Sequence, residues 1–266
     1  MSTSEVFPNA PLALVAVEVR FSNGSASSVA TPVQRAIRDR LGGEWVIEGT
    51  KVQTFEVPLL PVGAAPSVRS EHVSRITSRD RTQIVTLRSN GLTIEATRYE
   101  GYDRFRRLLH EALSATEEIF QPEGISRLGL RYIDEISVPG VTGPAHWGGW
   151  IHESLLPPTA EGLRAATWTG VVQYDFGPER HLVLRYGPSD QPVVAATGPL
   201  RRLRSFEGPI FTMDFDSFWQ PSDIPVFSAD RIALACDELL VPVRSLFHTL
   251  VTDRLRGEVF RQEVAK

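Results

Sequence analysis

Apolar and polar residues alternate through residues 13–21 (ALVAVEVRF), the period-two pattern of a strand with one face buried, and its β-branched content supports the same reading. The Ser/Gly-rich run at 22–28 ends it. Thr31-Pro32-Val33-Gln34 then opens a helix, with Thr31 suited to the N-cap, Pro32 to the first helical position and Gln34 to the reciprocal capping place, and Gly42-Gly43 stops it. Strand-like alternation returns at 45–57, 72–79, 82–88 and 92–99, the last two joined by Ser89-Asn90-Gly91, whose Asn-Gly step is a hairpin signal. From 102 to 120 the spacing changes to three and four. Phe105, Leu108, Leu109, Ala112, Thr116, Ile119 and Phe120 fall on one face of a helix that Pro122 and Gly124 terminate.

From Ile125 the order starts again. Residues 125–138 predict a new first strand, 150–156 a short helix between Pro144 and Pro157, and 167–176, 181–186, a weak segment at 193–196 and 209–219 further strands. Ser228 caps a closing helix lined by Ile232, Cys236, Leu239, Val243, Leu246, Phe247 and Leu250, with Pro242 expected to kink or interrupt it. The expected fold is therefore α+β: a strand, helix, antiparallel strands, helix unit used twice, its curved, mostly antiparallel sheet backed by long helices. The order is similar, by analogy, to that of the TATA-binding-protein-like folds. The expected division is a flexible tail over 1–10, a first lobe over 11–124 and a second over 125–266.

Composition narrows the function classes. The chain has 266 residues, 42% of them hydrophobic, enough for a sizeable core. Its 28 basic residues stand against 32 acidic ones, 14 against 15 up to Gly124 and 14 against 17 beyond, so neither half carries the basic excess a nucleic-acid backbone attracts. A single cysteine, Cys236, excludes an intrachain disulfide and an all-cysteine metal site. The N-terminus has no signal-peptide pattern and no segment has the length of a membrane span, which leads us to expect a cytoplasmic protein without a membrane partner.

The segments PLALVAVEVRF at 11–21, GYDRFRRLLHEAL at 101–113 and RLGLRYIDEI at 127–136 resemble a sporadically distributed bacterial protein family of similar length. The most specific element is R-x-G-x-RY-I, followed here by Asp134 where that family more often carries Asn. The resemblance implies no agreed activity or site. Its scattered distribution suggests a role beside mobile or defence-associated systems.

Four groups of residues offer chemistry. Asp214 and Asp216 form a D-x-D on a strand, a pattern able to hold a divalent cation, although on a strand the two carboxylates simply share the polar face. Arg127, Arg131 and Glu135 share one face of residues 127–136, where two guanidinium groups could grip an anionic ligand together with Asp214 and Asp216, or pair with those carboxylates across strands. Arg201, Arg202 and Arg204 form a basic cluster expected on an exposed loop. His146 to Glu153 gathers two histidines, a carboxylate and two tryptophans, without metal-site spacing. No nucleophile elbow, phosphate loop or dinucleotide fingerprint is present, so no cofactor and no catalytic residue are assigned. The expectation is a binding or adaptor protein whose partner is another protein, with a small-molecule enzyme or sensor holding an anionic ligand in the sheet-helix cleft as the alternative. Nucleic-acid binding through the basic loop is the less favoured third reading.

Overall fold

The computed structural model describes residues 7–22, 31–56, 67–194, 199–204, 206 and 208–262. Nine strands are present among the described residues: β1 (Leu12–Phe21), β2 (Trp45–Glu56), β3 (Ser67–Ser78), β4 (Gln83–Arg88), β5 (Gly91–Ala96), β6 (Ile125–Ile136), β7 (Gly170–Gly177), β8 (Arg180–Ser189) and β9 (Ile210–Trp219). They form one sheet in the order β2-β3-β4-β5-β1-β6-β9-β8-β7, and every pairing is antiparallel. Three long helices, α1 (Thr31–Leu41), α2 (Tyr102–Ile119) and α3 (Ala229–Leu250), complete an α+β architecture. At the centre β1 pairs with β6, bringing Val15 opposite Tyr132 and Val17 opposite Leu130.

Strand alternation sorts the side chains onto two unlike faces. Val15, Val17 and Val19 of β1, Leu128 and Leu130 of β6, Leu92 and Ile94 of β5, and Met213 and Phe215 of β9 are fully buried in one core with Leu109 of α2 and Leu239 of α3. The opposite face carries Glu18, Arg127, Arg131, Glu135, Asp214 and Asp216, which the register places in neighbouring rows. Such segregation is the antiparallel sheet's ordinary solution, apolar beneath helices and polar on the other side.

Local signals hold at several boundaries. Gly42 ends α1 at φ 92°, its N–H donating to the Arg38 carbonyl at 3.0 Å, and Ser228 caps α3 by accepting from the Arg231 N–H. Asn90-Gly91 behaves differently from a mirror-image turn. Arg88 pairs with Gly91, so the two loop residues are Ser89 and Asn90, and Gly91 is already in β5. A Cβ there would stand 2.5 Å from the Val19 carbonyl oxygen, so close approach to β1 is what demands glycine.

Other expectations are corrected. The short helix expected over 150–156 is absent; two 3₁₀ turns, Pro144–Trp147 and Glu153–Leu155, flank Trp150 instead. Glycines 148 and 149 and the prolines around the segment leave too few residues for a cooperative helix. In the weak segment at 193–196, Val193 and Val194 form a bend, and 195–196 lie outside the described residues. Ile119 is 44% exposed rather than core-facing, since α2 ends there, whereas Phe120 packs its ring on Phe21. α3 runs through Pro242 without a break. Of the expected tail, 1–6 lie outside the described residues, but 7–10 are held: Phe7 is buried against the Phe260 ring, and Asn9 donates to the Phe260 and Val259 carbonyls at 3.0 and 3.1 Å. These partners sit at the other end of the chain, so no local pattern announces them. No helix among the described residues is long and apolar enough to cross a membrane.

Candidate functional site

Where β1 begins and β6 ends, a cavity of about 740 Å³ opens between the sheet and the C-terminal half of α3. Leu240, Val243, Arg244 and Phe247 of α3 form one wall, Tyr99 and Tyr132 another, and the segment at 7–13 together with Arg202, Leu203, Arg204 and Phe206 encloses the rest. Volume and mixed lining fall in the range of small-molecule sites.

Asp134 is the unusual group in this wall. It shares its strand parity with Leu128, Leu130, Tyr132 and Ile136, so it points to the helix-covered side of the sheet. The residue is 5% exposed, it meets no hydrogen-bond or ion-pair partner among the described residues, and burial alone pushes its carboxyl up to about 8. A carboxyl so placed is ordinarily satisfied by a donor.

Around it stand further polar groups. The Tyr99 and Tyr132 hydroxyls lie 3.1 Å apart with their rings edge to face, and burial raises both phenols, so they stay protonated donors. Arg204 donates to the Ala10 carbonyl at 2.5 Å, and desolvation lowers its pKa with no carboxylate among the described residues opposing it. Arg244 lies over the Tyr102 ring, 5.5 Å from its centre, and Arg98 pairs with Asp80 at 3.0 Å.

The residues selected from sequence form two other clusters. Arg131 grips Asp214 through Nε and Nη2, both at 2.7 Å, and the register sets Arg131 directly opposite Asp216. Arg127 bonds Glu18 at 2.6 Å and Asp216 at 3.4 Å, with its guanidinium 4.9 Å from the centre of the Phe218 ring. All four are thus brought together, on the face away from the helices, and they pair with one another: the cross-strand network is what forms. Asp214 and Asp216 do not join a third potential ligand, for no group of three metal-ligating side chains occurs among the described residues.

The basic loop is not the exposed cluster expected. Arg202 is 11% exposed at its side chain, binds the fully buried Glu135 carboxylate and the Arg204 carbonyl, and donates to the Val194 carbonyl at 2.7 Å. Arg204 turns into the cavity wall, and Arg201 alone is exposed, its backbone bonded to Arg81 and Thr97. A buried acceptor, Glu135, draws the loop across the sheet end. His146 and His152 serve their own turns, through Thr142 and Ser154, while Trp147 is buried core. Cys236 is buried in α3, its thiol pushed up by desolvation, as a core residue rather than a nucleophile.

Asp134 was legible only as an anomaly: an acid at a core-facing place of an otherwise apolar alternation. Tyr99, Arg244 and Phe7 carry no such signal, because three separated segments meet at the cavity. The chain matches no protein-family model and no curated protein sequence.

Proposed function

We propose that this is a binding protein for a small ligand, held between the sheet and α3. The observation that carries the reading is Asp134, a buried carboxyl with no partner among the described residues, on the wall of a cavity of about 740 Å³. Arg204 and Arg244, which line the same cavity from the loop and from α3, suit an anionic group in that ligand, in keeping with the sheet-helix cleft expected for one. We read the strand order outward from the β1–β6 pair, β5-β4-β3-β2 on one side and β9-β8-β7 on the other, as two like-built halves of TATA-binding-protein-like order, the second lacking one strand and the small helix. The ligand then sits at one end of the junction between them.

Thermal unfolding of the full chain against a library of small anionic metabolites tests the reading. Saturation at 100 times the dissociation constant should stabilise the fold by about 2.7 kcal/mol. Val243→Trp, whose indole would occupy the part of the cavity beside Leu240 and Phe247, should abolish the shift. Flat melts across the library, or shifts that survive Val243→Trp, would overturn it.

A second reading, docking of a protein, is favoured by Leu234 and Val241, 57% and 66% exposed and seven residues apart on the outer side of α3. Loss of a co-purifying protein in Leu234→Asp with Val241→Asp, and retention of it in Val243→Trp, would support that docking.

A further inference from the structure

Of the charges that face the cavity, one is left unanswered. Glu135 is fully buried but held by Arg202, and Arg98 pairs with Asp80 at 3.0 Å. Asp134, its carboxyl pushed up to about 8 by burial, is neutral at pH 7 and carries an O–H, as do the Tyr99 and Tyr132 phenols. Arg244 and His248 are exposed, so water solvates them without a ligand. Arg204 differs from all of these. It is half-buried, its Nη1 donates to the Ala10 carbonyl, and no carboxylate among the described residues opposes the desolvation that lowers its pKa.

That single cation restricts the ligand's charge. With Nη1 engaged, Nε and Nη2 remain as an edge of two parallel N–H donors without a partner among the described residues, the spacing that one carboxylate accepts. One negative charge balances it. A phosphate monoester brings nearly two, and the excess would lie among apolar side chains. An amine would add a second cation to a space whose remaining acid is neutral. The volume restricts the rest of the ligand: acetate would leave most of about 740 Å³ empty, and Phe7, Leu12, Phe206, Leu240, Val243 and Phe247 line that space with hydrocarbon.

We propose that the cavity takes a monocarboxylic acid with an apolar chain, its carboxylate on the open edge of Arg204 and its chain among the side chains of α3 and of the segment at 7–13. This deepens the small-ligand reading and rests on it. Burial of the chain supplies affinity in proportion to its length, and the guanidinium selects the head group.

Calorimetric titration of the full chain at pH 7 with hexanoate, octanoate and decanoate, beside decanol and decylamine, tests the assignment. Affinity should rise about fourfold for each added methylene. Decanol and decylamine should bind at least about tenfold more weakly than decanoate, since neither answers the guanidinium. Arg204→Gln should weaken decanoate about tenfold and leave decanol unchanged, and Arg244→Gln, which removes a solvated cation, should weaken decanoate less. Equal binding of decanoate and decanol by the unsubstituted protein would overturn the assignment whether or not the variants fold. Decanoate binding indifferent to Arg204→Gln, or no gain from hexanoate to decanoate, would do the same. Failure of decanoate to bind at millimolar concentration while other small anions stabilise the fold would overturn the carboxylic acid and leave the small-ligand reading standing; flat melts for every compound would remove both.

Discussion

Asp134 and Asp214 lie in register positions next to one another on adjoining strands, each 5% exposed, yet they have opposite surroundings. Asp214 faces away from the helices and is held bidentately by Arg131. Asp134 faces the helices, has no partner among the described residues, and has its carboxyl pushed up to about 8. Burial is therefore not what distinguishes a paired acid from an unpaired one here. What matters is whether the fold itself supplies the donor.

The largest effect expected from breaking this comparison is at Glu135, next to Asp134 but on the opposite face. Arg202→Ala would leave its fully buried carboxylate without its cation and should cost about 3–5 kcal/mol in urea denaturation at pH 7. A loss under 1 kcal/mol would mean that the loop around Arg202 does not hold Glu135 in solution.

Asp134 should show an effect of similar size above pH 7, and its sign is opposite. Its folded pKa, about 8, lies above the unfolded carboxylate value near 4, so the folded state binds the extra proton across that window. Its contribution to stability is fully present below pH 4 and is lost as pH rises toward 8, at up to about 1.4 kcal/mol per pH unit. Asp134→Asn should remove that slope, nearly neutral at pH 4 and stabilising at pH 8, as read from denaturation midpoints at several pH values. A pH-independent difference between the two proteins would break the contrast with Asp214.

For the paired acid the asymmetry lies between partners. Arg131 is 44% exposed at its side chain and Asp214 only 7%, so Arg131→Ala strands a buried charge while Asp214→Asn leaves a guanidinium that water can reach. We expect about 2 kcal/mol for the first and under 1 kcal/mol for the second. Equal losses would show that the pair acts through packing alone. The smallest effect belongs to Arg127→Ala, at about 0.5 kcal/mol, because Glu18 and Asp216 keep 32% and 23% side-chain exposure and are solvated without it.

Much of the frame is written in local patterns. The strand alternation of β1 and β6, the three-four spacing of α2 and α3, the Ser228 cap and the Gly42 stop are set by neighbours within one or two turns, and the elements follow them. The polar face of the sheet was equally legible, since Arg127, Arg131, Asp214 and Asp216 keep the parity that alternation assigns them. The helix expected over 150–156 does not form because its apolar residues, Ile151 and Leu155, are buried by distant packing rather than by a helical stripe.

Residue order alone thus determined the class of each element, the two unlike faces of the sheet and the carboxyl set among core positions at Asp134. Only the tertiary structure decided which acids find an arginine and which do not, because Arg202 reaches Glu135 across 67 positions and Arg131 reaches Asp214 across 83. It also closed the cavity, by bringing Phe7, Tyr99, Arg204 and Arg244 to the end of β6. Pairings over such distances depend on strand order and chain reversal, which a period of two or of 3.6 residues does not encode.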